Sequence, residues 1–102
     1  METITASSVT ALEAQATASS FLIDRLPDRI SASTPILDGP ARIWHVPVIL
    51  AYPFVGVLGR VGEVLVDANN ARVVSFTPID KMLAAATHLA EQHRDVIEAP
   101  LP

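Results

Sequence analysis

The last quarter of the chain carries the strongest helical pattern. Thr77, Pro78 and Asp80 occupy the positions of an N-cap hydroxyl, a first-turn proline and a carboxylate that favours the helix dipole. After them, mostly apolar residues recur every three or four positions, so that they share one side of a helix. They are Ile79, Met82, Leu83, Ala86, Leu89, Ala90, His93 and Ile97. The pattern predicts an amphipathic helix that packs on a sheet and ends at residues 99–102, Ala-Pro-Leu-Pro.

The first quarter of the chain predicts a second helix. Its larger apolar residues lie at helical spacing, at Val9, Leu12, Ala16, Phe21, Leu22, Ile23 and Leu26. Pro27 disfavours the helical conformation of the residue before it, so we expect the helix to cover about residues 8–26. Residues 2–20 are rich in Ala, Ser and Thr, and we expect residues 1–7 to fray.

A strand is predicted in the middle of the chain. Residues 42–50 are rich in β-branched and aromatic side chains. Pro47 requires either an edge position or a nitrogen that points away from the neighbouring strand, because proline has no donor for the ladder. The turn signal Asp38-Gly39-Pro40 precedes this strand, so an extended piece around residues 30–37 can pair back on it.

A β-hairpin is predicted after this strand. Residues 62–67 and 72–77 alternate apolar and polar side chains, as expected for two strands with one covered face. Asparagine tolerates positive φ better than other non-glycine residues, so Asn69-Asn70 is expected to form the tight turn between them.

Residues 51–62 form an apolar segment that is broken by one proline and three glycines. No formal charge occurs between Ile43 and Gly59 unless His45 is protonated. The pattern predicts a long loop, and an apolar loop of this length has to be covered. It can fold over its own core, press against another chain or hold an apolar ligand.

The composition is that of a single globular domain. The chain has 102 residues, of which 50% are hydrophobic, and its formal net charge is −4. This length predicts one domain over residues 1–102, and the apolar fraction is too high for a disordered chain. No proline-free apolar run has the length of a membrane span, so we expect no membrane association.

Charge and cysteine content exclude further classes of partner and of reactive site. Seven scattered Lys and Arg residues against 11 Asp and Glu residues do not form the basic patch that phosphates require, so we expect no nucleic-acid partner. The lack of cysteine excludes a disulfide, a cysteine-based zinc site and a thiol nucleophile. No basic start is followed by an apolar run, which favours a cytoplasmic location.

The reactive side chains do not form a recognisable site. His88 and His93 are five residues apart, which separates them by about 140° around a helix. Glu63 and Asp67 would lie about 13 Å apart along a strand, too far for a catalytic carboxylate pair. The glycines of residues 56–62 lack the spacing of a nucleotide-binding loop. We therefore expect no catalytic residue, no metal and no cofactor.

Trp44, Tyr52 and Phe54 are a concentrated group of aromatic residues. Such a group suits a core or a dimer contact, and it also suits the wall of a small-ligand pocket. The candidate ligand or interface residues are Trp44, Tyr52, Phe54, Val55, Val57 and Leu58.

Over about residues 42–77 the chain resembles the hairpin of PepSY-like domains. The resemblance lies in the tryptophan strand Trp44-His45-Val46-Pro47-Val48, in Gly62-Glu63-Val64-Leu65-Val66-Asp67-Ala68-Asn69 and in Val73-Val74. In that family a helix precedes a strand that carries tryptophan, and a strand that ends in Val-Asp-Ala leads through a turn to the next strand. The resemblance implies a non-catalytic binding or inhibitory module.

These patterns predict an α+β fold with an N-terminal helix, an antiparallel sheet of three or four strands, and a C-terminal helix packed on one face. The expected protein is a small non-enzymatic binding or regulatory protein that acts as a homodimer through the segment from Trp44 to Leu58. Two alternatives stay open. One is a ligand-binding protein or enzyme with a pocket of at least about 300 Å³ under the 51–62 loop. The other is a small bacterial protein that neutralises a partner toxin.

Overall fold

The fold is mixed α+β, as the sequence predicts. A computed structural model describes residues 9–98, so the predictions for residues 1–7 and 99–102 lie outside the described residues. The elements along the chain are α1 (Ala11–Ile23), β1 (Ile30–Ala32), β2 (Ile36–Asp38), β3 (Ile43–Tyr52), β4 (Gly56–Asp67), β5 (Val73–Phe76), α2 (Ile79–Gln92) and α3 (Arg94–Ile97).

The five strands of the described residues form one antiparallel sheet. β3 pairs with β4 along its whole length, and β5 lies on the other side of β4. β1 and β2 pair one after the other with the remaining side of β3, with Ile30 opposite Leu50 and Ile36 opposite His45. The segment before the Asp38-Gly39-Pro40 turn thus pairs back on the following strand, as predicted, and it does so as two short strands.

Pro47 explains why this side of β3 carries two short strands. β3 is an interior strand, so an edge position does not accommodate the proline. The Pro47 carbonyl accepts a hydrogen bond from Ser33 N (2.8 Å), and the nitrogen and carbonyl of a strand residue face the same neighbour. The missing donor therefore faces the gap between β1 and β2 rather than β4.

Residues 51–62 do not form a loop, which corrects the prediction. β3 continues to Tyr52 and β4 begins at Gly56, so only three residues connect them. Gly59 and Gly62 lie inside β4, near two register shifts of the β3–β4 ladder. Such bulges bend and twist a strand without ending it. The apolar segment is therefore the outer half of a long hairpin.

Two glycines of β4 make room for helix α2. A Cβ atom at Gly62 would lie 2.8 Å from Met82 Cγ, and one at Gly59 would lie 3.0 Å from Leu89 Cδ1. A side chain at either position would hold the helix away from the strand. As a result Met82 is completely buried, which fits the predicted packing of the C-terminal helix on one face.

A single core lies between the two long helices and one face of the sheet. α1 contributes small side chains that let it approach the strands, and β3 and β4 contribute valines. The buried residues are Ala14, Ala18, Leu22, Leu26, Ile30, Val46, Val48, Leu50, Val61, Val64, Val66, Met82 and Ala86. Both long helices therefore cover the same face.

The helix starts differ from the predictions. α1 begins with a capping box, in which Thr10 Oγ1 accepts from Glu13 N (3.1 Å) and Glu13 Oε1 accepts from Thr10 N (2.8 Å). The predicted N-cap of α2 is wrong, because Pro78 occupies that position without a side-chain cap. Thr77 Oγ1 instead accepts a hydrogen bond from Glu63 N (3.0 Å), which extends the pairing of β4 and β5.

The β4–β5 hairpin is confirmed, but its turn works differently from the prediction. The residue with positive φ is Ala71, at 60°. The asparagines act as side-chain acceptors, since Asn70 Oδ1 accepts from Arg72 N (3.0 Å) and Asn69 Oδ1 accepts from Arg42 Nη2 (2.8 Å). Asparagine side chains that accept hydrogen bonds stabilise a turn even where the asparagines themselves do not adopt positive φ.

The C-terminal helix is interrupted at His93, where the sequence predicts a continuous helix. His93 has φ −113° and ψ 20°, outside the helical range, and its ring Nδ1 lies 2.8 Å from Leu89 O. The short helix α3 follows. No helix among residues 9–98 is long and apolar enough to cross a membrane.

We predict that Gly62→Ala destabilises the protein by about 1–3 kcal/mol, because the added methyl group overlaps Met82 and Thr77. Gly39→Ala is the matched control, since no atom lies within 4 Å of its added Cβ. Urea unfolding measures both free energies. Equal stability of the two variants would show that α2 does not need the close approach at Gly62.

Candidate functional site

The two faces of the sheet are covered unequally. Side chains alternate along β3, so its even-numbered residues from Trp44 to Leu50 point toward the helices, and its odd-numbered residues from Ile43 to Ile49 point to the other side. Both long helices lie on the first side. No element of residues 9–98 lies over the second side, which we call the open face.

The open face carries an apolar stripe of four residues. Ile43, Pro47, Ile49 and Leu65 are each partly exposed, and none of them belongs to the core cluster. A solvated face of an antiparallel sheet normally carries polar side chains, so this apolar stripe is typical of a surface that packs on another molecule.

A cluster of charged side chains lies among these apolar residues, since His45 is opposite Leu65 and Glu63 is opposite Pro47. Arg60 Nη2 donates to Glu63 Oε1 (2.7 Å), and the same oxygen lies 3.5 Å from His45 Nδ1. His45 Nε2 lies 3.9 Å from Asp38 Oδ2. All four side chains are between 32% and 56% exposed, so these pairs add little to stability. Residues 9–98 contain no group of three or more His, Cys, Asp or Glu that could hold a metal ion.

Trp44 lies on the helix side of the sheet. Its Nε1–H donates to Val9 O (2.9 Å), and its ring packs against the core. Val9 N in turn donates to Ala68 O (2.8 Å). Val9 therefore links the segment before α1 both to Trp44 and to the β4–β5 turn. Eight residues of strand, or about 27 Å, separate Trp44 from Tyr52. The structure therefore does not bring Trp44 together with the other two aromatic residues.

The other predicted site residues lie along the outer half of the β3–β4 hairpin. Tyr52 and Leu58 pack against the core, and the Arg29 guanidinium lies 5.1 Å from the centre of the Tyr52 ring. Val55 is partly exposed, and Val57 is 62% exposed opposite Ala51. The six residues are thus divided between the core, the hairpin tip and the open surface.

Phe54 forms the tip of this hairpin. Its side chain is 99% exposed and its φ is 68°. Val55 N donates to Tyr52 O (3.2 Å), which closes a four-residue turn with Pro53 second and Phe54 third. This is the pattern of a type II turn, whose third position favours glycine because other residues are strained at positive φ. Burial within one protomer does not compensate for that strain.

None of four surface clefts brings the three aromatic residues together. Four clefts of residues 9–98 have volumes between about 140 and 270 Å³. Tyr52 lines two of these four, beside α2, whereas Trp44 and Phe54 line none of them. All four are smaller than the roughly 300 Å³ at which small-molecule sites begin.

Comparisons of the chain with models of protein families, with curated proteins and with solved structures find no match. The resemblance to PepSY-like domains and the toxin-neutralising alternative therefore stay predictions.

The residues of the open face are not evident from the sequence. The patterns place Ile49 and Leu65 in strands but do not assign them to a face, and they do not connect Arg60 with Glu63. The usable signal is the strand period of two, which groups His45, Pro47 and Ile49 on one side of β3 and Val46 and Val48 on the other. This alternation shows which residues share a side, but not which side the helices cover.

We predict that Phe54→Gly stabilises the protomer by about 1 kcal/mol, because glycine adopts positive φ without strain. Phe54→Ala is the matched control, since it removes the ring but keeps a Cβ at the strained position. Thermal unfolding at low protein concentration compares the two variants. If both had the same stability, backbone strain at Phe54 would not be significant.

Proposed function

We propose that this protein is a non-enzymatic binding protein that acts as a homodimer, with two copies packed open face against open face. The observation that carries the proposal is the apolar stripe of Ile43, Pro47, Ile49 and Leu65 on a sheet face that no described element covers. Packing two such faces together removes the stripe from water and gives the usual two-layer arrangement of sheets.

The size of the open face suits a second copy. β3 and β4 have 10 and 12 residues. A rise of about 3.4 Å per residue gives the face a length of about 35 Å. A spacing of about 4.8 Å between strands, with shorter strands on both sides, gives a width of about 15 Å and an area of about 500 Å². Two faces in contact would bury about 1,000 Å², which is the lower range of specific protein interfaces. The face is therefore large enough for a reversible dimer.

The charges on the open face are self-complementary. Arg60 lies opposite Ile49 and Glu63 lies opposite Pro47, so the two charges are neighbours along β4. We place a two-fold axis between Arg60 and Glu63, parallel to the sheet and perpendicular to its strands. This axis brings Arg60 of each protomer to Glu63 of the other. The existing Arg60–Glu63 pair would become a ring of four alternating charges, which fixes the register of the dimer.

We predict that Ile49→Asp dissociates the dimer, because it would bury an unpaired carboxylate in the interface. Light scattering at micromolar concentration should give a dimeric mass for the original protein and a monomeric mass for the variant. The variant should stay folded, since Ile49 is outside the core.

Ile23→Asp is the control for this experiment. Ile23 lies on α1 and is 73% exposed, so the variant adds the same charge away from the open face. It should remain a dimer. A monomeric mass for the original protein, or dissociation by Ile23→Asp alone, would contradict the proposed interface.

We also predict that Arg60→Glu and Glu63→Arg each weaken self-association, because each places like charges together. An equimolar mixture of the two variants should form a heterodimer, since glutamates at both positions of one protomer face arginines of the other. Sedimentation of the mixture compared with each variant alone measures this effect. No gain on mixing would exclude the proposed register, while a dimer of the original protein would still support self-association.

A further inference from the structure

We infer that dimerisation through the open face is coupled to proton uptake by His45, so that the dimer is tighter below about pH 6 than at about pH 8. The inference rests on the proposed homodimer and deepens it by naming what regulates the contact. Its structural basis is the position of the His45 ring between the carboxylates of Asp38 and Glu63, on the surface that a second copy would cover.

His45 lies within the open face. It is one of the odd-numbered residues of β3, so its ring points away from the helices. The residues opposite it are Ile36 of β2 and Leu65 of β4, and both are apolar. Ile36 is 64% exposed. The imidazole therefore lies among apolar side chains that the packing of a second copy would remove from water.

Both ring nitrogens of His45 face a carboxylate. Nδ1 lies 3.5 Å from Glu63 Oε1, and Nε2 lies 3.9 Å from Asp38 Oδ2. A neutral imidazole carries a proton on only one of its nitrogens, whereas the protonated ring donates from both. The protonated ring can therefore pair with both carboxylates at once. The neutral ring leaves at least one of them without a donor from His45.

The other charged residues of the sheet leave an excess of carboxylates around this ring. Within the strands of residues 9–98, they are Asp38, Arg60, Glu63 and Asp67. Each lies opposite an odd-numbered residue of β3, and so on the open face. Arg60 Nη2 donates to Glu63 Oε1 (2.7 Å), which leaves Asp38 to be paired. A protonated His45 supplies the cation that Asp38 needs.

Covering the open face makes this excess of negative charge unfavourable. His45, Asp38 and Glu63 are between 32% and 44% exposed in the protomer, so water solvates a carboxylate that has no cation. A second copy would displace this water, and an unpaired charge in an interface is strongly destabilising. Dimerisation thus favours the protonated ring. By linkage, protonation favours dimerisation by the same factor.

The dissociation constant of the dimer at different pH values tests the coupling. Sedimentation at constant ionic strength should give a dimer that is about tenfold tighter at about pH 5.5 than at about pH 8, the effect of one additional close charge pair. A constant affinity, in a protein that Ile49→Asp dissociates, would overturn the inference and leave the open-face dimer standing. A strictly monomeric protein throughout this range would overturn both.

Two histidine variants separate His45 from the general loss of negative charge in acid. His45→Gln keeps a polar side chain that takes up no proton, so it should keep the weaker affinity of about pH 8 throughout the range. His88→Gln is the matched control, because His88 is exposed on α2, on the other side of the sheet. It should keep the pH dependence of the original protein. Equal pH dependence in the two variants would overturn the inference.

Asp38→Asn provides a test in the opposite direction. It removes the carboxylate that requires the protonated ring, but it keeps the oxygen that accepts from Ala41 N (3.2 Å). The variant should dimerise more tightly than the original protein at about pH 8 and should lose most of the pH dependence. An unchanged or weaker affinity at that pH would show that Asp38 does not oppose dimerisation, and would overturn the coupling.

Discussion

The close approach of α2 to β4 is the constraint on which the arrangement of this protein depends. Met82 packs directly on Gly62, and Leu89 packs on Gly59, where a Cβ atom would be too close. α2 therefore lies on the same side of the sheet as α1, and both helices share one core. A chain of this size has enough apolar side chains for one such core, so the second side of the sheet remains without a layer of its own.

The open face follows from that one-sided packing. A sheet face that is covered only by solvent normally carries polar side chains, yet Ile43, Ile49 and Leu65 lie on this one and are partly exposed. The charged residues around them are partly exposed and paired with each other. A face that mixes apolar side chains with charges paired to each other also occurs in protein interfaces. It supports self-association more directly than the aromatic residues of the sequence do.

The three non-glycine residues with positive φ show where folding alone explains a residue and where it does not. Ala71 N donates to Asp67 O (2.9 Å) within the β4–β5 turn, and Arg42 gains two hydrogen bonds to Asn69. Both residues therefore stabilise turns of the protomer. Phe54 is equally strained, but its ring makes no comparable contact and is 99% exposed. The contacts of the protomer therefore do not compensate for the backbone strain at Phe54.

The amino-acid sequence by itself determined the local features of this protein. Helical spacing located α1 and α2, and the Asp38-Gly39-Pro40 turn and the β4–β5 hairpin were visible in residue types. Pro47 required either an edge strand or a nitrogen directed away from one neighbour. These features depend on contacts between residues close in the chain. The tertiary structure decided everything that depends on distant contacts. Gly59 and Gly62 suggested a loop because glycine favours irregular backbone, but both pair with β3 as strand residues, and α2 packs closely on them. Likewise, alternation grouped the side chains of β3 into two sets, but the position of the helices determined which set was buried and which formed the open face.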